Sequence, residues 1–402
     1  MDEKEKERVN MKRIYVVGSM SMDLVVSTDQ VPSKGETVLG NTFFTTPGGK
    51  GANQAVAAAR LGDHVHMVGC IGDDMLGKQI LENLKHNHVN VEYVKKVKGP
   101  SGTAHITLAD NDNSIIVVPS ANSKVTVSLV ESALSKANKG DIVLLQQEIP
   151  ADVVAHTVHY CYEHELTSIL NPAPYRDISD DILEQVTYLT PNETESENMF
   201  EGDIDQALER YPDKLIVTQG ALGAVFYDGL EQIEIQGIER EVKDTTGAGD
   251  TFNGALAVGL QKDDSLAKAI AFANVAASHS VTALGAQGGM PTINDIAKDW
   301  TSLSYLQNLV EEHIKQIKDK RLPQVIQEAV SIFKYLTNGA YTMINYTGDD
   351  SIHVKHDNGQ VFEPVELSQS TKELLYVALR NSLIKVLKPY YPFPIIVDDA
   401  FV

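Results

Sequence analysis

Cysteine is nearly absent from this 402-residue chain, which has only Cys70 and Cys161. Two thiols cannot make a disulfide framework, and such usage fits a reducing compartment, so a cytoplasmic location is expected. No run of 18 apolar residues occurs, and the first ten residues, MDEKEKERVN, are a polar leader without an apolar stretch. Neither a signal peptide nor a membrane span is expected. Positive charge is short as well: 34 Lys and Arg stand against 55 Asp and Glu, a net charge of -21. Phosphate backbones and anionic membranes are held by clustered Lys and Arg, so neither is an expected partner. A local basic pocket for a small phosphorylated ligand stays open. A P-loop is missing too. The run GDDMLGKQ (Gly72–Gln79) comes near one, but Gln79 stands where a P-loop needs Ser or Thr for magnesium, and its two aspartates would repel phosphate.

What is present is a globular composition, 43% hydrophobic and 22% charged, long enough for two or three domains. From Met11 onward, short apolar runs alternate with helical periodicity. The runs are Ile14–Met20, His64–Gly72, Asp141–Gln147, Leu166–Pro174, Val186–Asn192 and Lys214–Gly220. Between them lie helix-like stretches such as Ala52–Gly62 and Gly77–His88. This alternation predicts a parallel sheet covered by helices, with the binding crevice at the carboxyl ends of the strands. Polar/apolar alternation around Thr37–Thr46 and Gly102–Pro119 predicts antiparallel strands standing off that sheet as a lid. The pattern closes at about Thr292. Beyond it come a helical stretch over Leu309–Gly339 broken at Pro323, a turn at Asp357–Gly359, a helix over Glu373–Lys388 and a strand PIIVDDAFV. The predicted division is therefore a leader over 1–10, a first domain over 11–292, and an α+β appendage over 293–402.

The chemistry concentrates in VKDTTGAGDTFNGAL (Val242–Leu256). Gly247-Ala248-Gly249 opens a helix, where free N–H groups and the helix dipole attract an anion, yet Asp250 sits in the same place. Phosphoryl transfer to an alcohol needs both: donors for the transferring phosphoryl oxygens and a carboxylate to take the hydroxyl proton. An aspartate capping a surface helix is the plain alternative, and this motif alone does not choose. A second glycine-rich loop, PGGKGANQA (Pro47–Ala55), also opens a helix. There Gly48 and Gly49 permit close backbone approach, and Lys50 and Asn53 supply donors. Asp23 follows the first strand and Glu148 follows DIVLLQQ. Carboxylates and amides so placed suit a polyhydroxylated ligand, whose every hydroxyl wants a donor and an acceptor.

GSMSMD, PGGKGANQA, IGDDMLG, PNETE and DTTGAGDTFNGAL, in that order over residues 11–292, resemble the ribokinase-like family of sugar kinases, which includes fructokinases and adenosine kinases. The resemblance implies a three-layer α/β/α sandwich whose small β-lid covers the sugar and pairs with the lid of a second subunit. It also implies ATP-dependent phosphorylation of D-ribose at its 5-hydroxyl. Asp250 matches the catalytic base, and Gly247, Ala248 and Gly249 the anion hole. Ser21, Met22, Asp23, Gly49, Lys50, Gly51, Ala52, Asn53 and Glu148 match the sugar contacts, together with Asp250. Asn192, Thr218, Gln219, Gly220, Ala221, Leu222, Gly223 and Asn274 match the ATP contacts, joined by Gly249 and Asp250. Glu195 matches an acid linked to Mg2+, and Asp244, Thr246, Ser280, Ala283, Gly285 and Gly289 match a K+ site. One position departs: the family has Asn two residues before the sugar-binding Asp, and here it is Ser21. Another pentose, a hexose or a nucleoside is the alternative acceptor.

The tail carries a different signal. Glu366–Arg380 followed by PFPIIVDDAF (Pro392–Phe401) resembles the signature helix and Walker-B strand of SMC-type and ABC-type ATPase heads, with Asp398 and Asp399 at the strand's end. Ser370 stands where the signature has Gly, and no P-loop accompanies it, so an incomplete head is expected. A DNA-repair type ATPase or interaction module is the alternative function of another class. The apolar side chains of Glu373–Lys388 are expected to lack partners.

Overall fold

In a computed structural model, residues 12–109, 112–297, 299–301, 322–346 and 352–387 are described. The leader and the Asp398-Asp399 strand of the tail lie outside the described residues. The chain falls into two compact units, one ending at Trp300 and one beginning at Thr301.

The first unit opens with β1 (Ile14–Val17), β2 (Ser21–Ser27), β3 (Thr42–Gly48), α1 (Lys50–Leu61), β4 (Val65–Gly72), α2 (Met75–His86) and β5 (Asn90–Val97). It continues through β6 (Gly102–Ala109), β7 (Asp112–Val118), α3 (Val127–Leu134), β8 (Ile142–Gln146), α4 (Ala151–Glu163), β9 (Thr167–Asn171), α5 (Asp180–Gln185) and β10 (Tyr188–Leu189). Last come α6 (Glu193–Met199), α7 (Ile204–Arg210), β11 (Val217–Thr218), β12 (Gly223–Tyr227), β13 (Gln232–Gln236), α8 (Ala248–Gln261) and α9 (Leu266–Ser280).

Six strands form a parallel sheet in the order β10-β9-β8-β1-β4-β5. Its central strands are apolar on both faces because each face meets helices. Ile14, Val16, Ile142 and Leu144 pack with Val56 of α1, Phe252 of α8 and Val275 of α9. Tyr15, Val17, Val143 and Leu145 point the other way, to Val130 of α3 and Val158 of α4. Strand residues alternate between two cores, which makes three layers. Two differences from the predicted strands have physical reasons. The edge strand β5 was not predicted, since its apolar residues are interrupted by Glu92, Lys95 and Lys96, as suits an edge. The run Lys214–Gly220 feeds a separate antiparallel sheet, β11-β12-β13, although Leu189 and Asn192 still bridge in parallel to Leu215 and Thr218.

The lid is a four-stranded sheet, β3-β2-β6-β7, in which β2 pairs antiparallel with β3 and parallel with β6. The segment after the first strand, predicted only to hold Asp23, is thus itself a lid strand. Register sets Asp23 opposite Thr46 and Val25 opposite Phe44, so period two puts all four on one face. Chain order moves from β1 to β4 and β5 on one side, then returns to β8 on the other. The switch point of such a sheet is where ligands bind.

The first unit continues past Thr292, where the repeating pattern closes, to Trp300. Ile296 is fully buried in its core, and the Trp300 ring meets Phe272 edge-on with centroids 5.0 Å apart.

In the second unit, α10 is described over Leu322–Leu336, and the part of the predicted helical stretch before Leu322 lies outside the described residues. An antiparallel sheet β14 (Tyr341–Tyr346), β15 (Ile352–His356) and β16 (Val361–Phe362) follows, and then α11 (Gln369–Leu387). Gly359, at φ 91°, closes the turn between β15 and β16 where Asp357–Gly359 was read as one. The prediction that the tail's apolar residues lack partners needs correction. Phe333, Ile344, Val354, Leu367, Leu375 and Ala378 form a buried core of their own.

Candidate active site

The switch point is tied by side chains that follow β1 and β8. Ser19, just after β1, donates its hydroxyl to Glu148, just after β8, and the Lys50 amide donates to the same carboxylate oxygen at 3.1 Å. Gly48 and Gly49 are required here by space. A Cβ on Gly48 would lie 2.5 Å from both Asp23 carboxylate oxygens, and Gly49 has φ 88°.

Asp250 enters from the first turn of α8. Gly247 caps that helix at φ 82°, and a Cβ there would meet the Ala286 carbonyl oxygen at 2.6 Å. Only glycine fits both demands. The main-chain N–H groups of Gly249 and Asp250 have no backbone partner among the described residues, and a Cβ on Gly249 would face open space. The first turn therefore offers donors to an incoming anion. Asp250 is 6% exposed, and both its oxygens are held: Asn53 donates to Oδ2 at 2.9 Å and Gln54 to Oδ1 at 3.1 Å. Each oxygen keeps a lone pair for a further donor.

A cavity of about 230 Å³ brings Lys50, Asn171, Asn192, Glu195, Thr218, Gly247, Gly249 and Asp250 together. Burial pulls the Lys50 ammonium down, but Asp250, Glu148 and Glu195 outweigh it and hold its pKa above the usual value. Glu195 is pushed up by burial first, against the Asn192 amide and Lys50. Asn192 and Glu195 also cap α6 reciprocally, with the Asn192 Oδ1 accepting at 2.8 Å and the Glu195 Oε2 at 2.9 Å. Lys50, read from sequence as a sugar contact, thus also lines the cavity that holds Asn192, Glu195 and Asp250.

A second cavity, about 610 Å³, lies between the lid and the loop before α8. Asp23, Val25, Phe44 and Ile106 line one side, and Asp244, Thr246 and Leu284–Ala286 the other. Burial, then the like charges of Glu148 and Asp250, raise the Asp23 carboxyl to about 6. Burial would raise Asp244, but the Thr246 hydroxyl and the N–H donors of Thr246 (2.9 Å) and Gly285 (2.8 Å) overcome it and leave its pKa below the ordinary value. Gly289 packs directly on the Ser280 carbonyl, with Ala283 in the turn between. Carboxylate, hydroxyl and main-chain carbonyl oxygens are a hard donor set, suited to K+ or Na+ rather than a transition metal. Among the described residues no three His, Cys, Asp or Glu side chains converge on a metal site.

Other expected contacts fall outside the two cavity walls. Gln219 donates its N–H to Gly223, closing an exposed turn over Gly220, Ala221 and Leu222. The Asn274 amide is spent on carbonyls of Ile235 and Gln236. Met22 and Ala52 are buried, Ala52 through an N–H bond to Ser19, and Gly51 packs on the Ser19 backbone. Ser21 meets the Asn122 amide at 3.3 Å. Ser19, Gln54, Asn122 and Asn171 were not predicted from sequence. In the near-P-loop, Asp74 caps α2 at Gly77 and Asp73 holds Gly99, which is a structural use of both.

The model of the pfkB family of carbohydrate kinases matches residues 11–293. The chain belongs to that family. A ribokinase of Bacillus subtilis (strain 168) is 51% identical over 288 residues, which are 71% of this chain and 98% of that one. A ribokinase of Lactococcus lactis is 44% identical, over 71% of this chain and 96% of its own. The solved Arabidopsis thaliana ribokinase complexed with ribose and ATP superposes with a TM-score of 0.65 at 33% identity, covering 72% of this chain and 99% of that one. The protein is therefore a carbohydrate kinase, and the α/β sandwich with its lid is the family fold. The family match ends at residue 293, short of the second unit.

Proposed function

We propose that the protein transfers the γ-phosphoryl group of ATP to the 5-hydroxyl of D-ribose, giving D-ribose 5-phosphate, ADP and a proton. The observation that carries this reading is Asp250, held by two amide donors at the start of α8 in one cavity with Lys50, Asn192 and Glu195. In this reading Asp250 accepts the hydroxyl proton as the hydroxyl oxygen bonds to the γ-phosphorus, and the bond to the β–γ bridging oxygen breaks. Charge on the transferring oxygens is met by the N–H groups of Gly249 and Asp250 and by Lys50. The sugar is held by Asp23, Asn53 and Glu148, and the glycines at 48 and 49 let its hydroxyls reach main chain. Nucleotide contacts are Asn192 and the Thr218–Gly223 turn, with Asn274 bracing the wall at β13.

Mg2+ bound with ATP would neutralise phosphate charge. Glu195 suits a water-mediated contact to it, since capping uses only Oε2. K+ would be held by Asp244, Thr246 and carbonyls of the Ser280–Gly289 segment, next to Gly247. Pairing of two lids is supported by Phe43 and Ile116, which are 66% and 69% exposed. A cytoplasmic setting agrees with the buried, unpaired Cys70 and Cys161. No helix among the described residues is long and apolar enough to cross a membrane.

Coupled ADP release across ribose, deoxyribose, hexoses and nucleosides, in K+ and in Na+ at matched ionic strength, tests this. Ribose should give the highest kcat/KM, and K+ the higher rate, because a carbonyl cage discriminates by ion size. Preferred turnover of a nucleoside would reject the acceptor, and equal rates in both salts would remove the cation. Ser21, shorter than the Asn usual there, makes another pentose the second candidate.

A further inference from the structure

The Asn53 amide that holds Asp250 is itself held, through three more amides, by an arginine two helical turns away. Arg60 Nε donates to Asn87 Oδ1 at 2.8 Å, and Asn87 Nδ2 donates to the Asn83 main-chain carbonyl at 2.9 Å and to Asn83 Oδ1 at 3.3 Å. Asn83 Nδ2 donates to Gln287 Oε1 at 2.8 Å, and Gln287 Nε2 donates to Asn53 Oδ1 at 2.9 Å. Asn53 Nδ2 then reaches Asp250 Oδ2.

An amide can be turned over without changing its shape, so a lone Asn or Gln rarely fixes its own polarity. Here both ends decide it. A guanidinium can only donate and a carboxylate can only accept, so all four amides must face the same way. Asn53, Asn87 and Gln287 are at most 7% exposed, where an amide turned the wrong way would set acceptor against acceptor without water to relieve it. Helix geometry supplies the spacing: Asn53 and Arg60 lie seven apart on one face of α1, and Asn83 and Asn87 four apart at the end of α2. Arg60 Nη1 also donates to the carbonyls of Gln287 (2.8 Å) and Met290 (2.7 Å), gripping the end of the loop that carries Gly285 and Gly289.

We propose that Gln287 is a positioning residue for phosphoryl transfer: anchored by the Arg60-Asn87-Asn83 chain, it turns the Asn53 amide so that its N–H group, and not its oxygen, faces Asp250. The proposal rests on Asp250 being the base.

The test uses full-length protein with saturating ribose and ATP. Gln287→Glu keeps shape and still accepts from Asn83 but cannot donate, so Asn53 must present its oxygen to Asp250. Gln287→Met removes the donor without supplying an acceptor. Misplacing a reacting group costs about 10²-fold, so kcat should fall by about that for Gln287→Glu and by several-fold for Gln287→Met, with KM for ATP little changed. In an Asp250→Asn background both substitutions should leave the residual rate unaltered within about twofold, because residues acting through one group are not additive. A merely structural Gln287 would give equal losses in both backgrounds, since a carboxylate buried there would damage the fold whether or not Asp250 is present. That result overturns the proposal, as does a Gln287→Glu enzyme at the parent kcat. If Gln287→Glu does not fold, Asn83→Asp, at a half-buried site, takes its place. A several-fold fall in kcat, masked by Asp250→Asn, supports the relay, and no fall or an unmasked one overturns it. An Asp250→Asn enzyme at the parent rate would instead reject the base itself, and the relay with it.

Discussion

Where the chain is cut decides whether the kinase unit keeps its stability, and the structure gives the size of the effect. A product ending at Thr292 loses Ile296, which is 0% exposed, and the Trp300 ring that packs edge-on against Phe272. Burial of an Ile side chain stabilises by about 2 kcal/mol, and an edge-to-face aromatic pair adds about 1 kcal/mol. Asp299 pairs with Arg240 and with His279 (3.0 Å), but its side chain is 37% exposed, so screening leaves little to add. The loss of about 3 kcal/mol should lower the melting midpoint by about 6–12 °C, given about 2–4 °C per kcal/mol for a domain of this size. A product ending at Trp300 keeps all three side chains. The assay is thermal unfolding of the two products by circular dichroism, beside their sugar-kinase rates at 25 °C. Midpoints within about 2 °C of each other would refute the assignment of the 293–300 segment to the first unit's core.

Two further outcomes follow from the site. The folded protein favours neutral Asp23, whose carboxyl is raised from 3.8 to about 6. The stability its protonation contributes is thus fully present below about pH 4 and lost as pH rises through about 6, roughly 3 kcal/mol in all. Asp23→Asn should therefore raise the melting midpoint at pH 8 and barely change it at pH 4, while weakening ribose binding; the parent's ribose affinity should fall as pH drops below 6. No stabilisation at pH 8 would show that Asp23 is not buried as a charge. Gly247→Ala meets both the Ala286 carbonyl and a left-handed φ, so kcat should fall at least tenfold with a loss of about 1–2 kcal/mol in stability; an unaffected kcat would detach this turn from the chemistry.

The parts legible in sequence were those with a local signature. A strand such as Ile14–Val17, apolar on both faces, and a glycine-to-helix turn such as Gly247–Asp250 announce themselves within a few residues. The pairing of Ser21–Ser27 into the lid was not legible, because one of its two partner strands begins at Gly102 and pairs in parallel. Nor was the amide chain behind Asp250. Asn53 and Gln287 are 234 residues apart, and neither amide has a periodic neighbour to mark it. The tail was misjudged for the opposite reason. Apolar residues of Glu373–Lys388 were expected to lack partners, whereas Leu375 and Ala378 meet Phe333 and Ile344 of the same small unit.

The central claim is that Asp250 accepts the sugar's proton, and the most direct measurement is the rate of Asp250→Asn set beside its ribose affinity. Asn keeps the shape and one acceptor oxygen but takes no proton at neutral pH. The account predicts a kcat lowered by about 10²–10⁴, the range expected on losing a general base, with ribose bound within several-fold of the parent by calorimetry. A variant that turns over at the parent rate, or one that loses ribose binding and rate together, would contradict it.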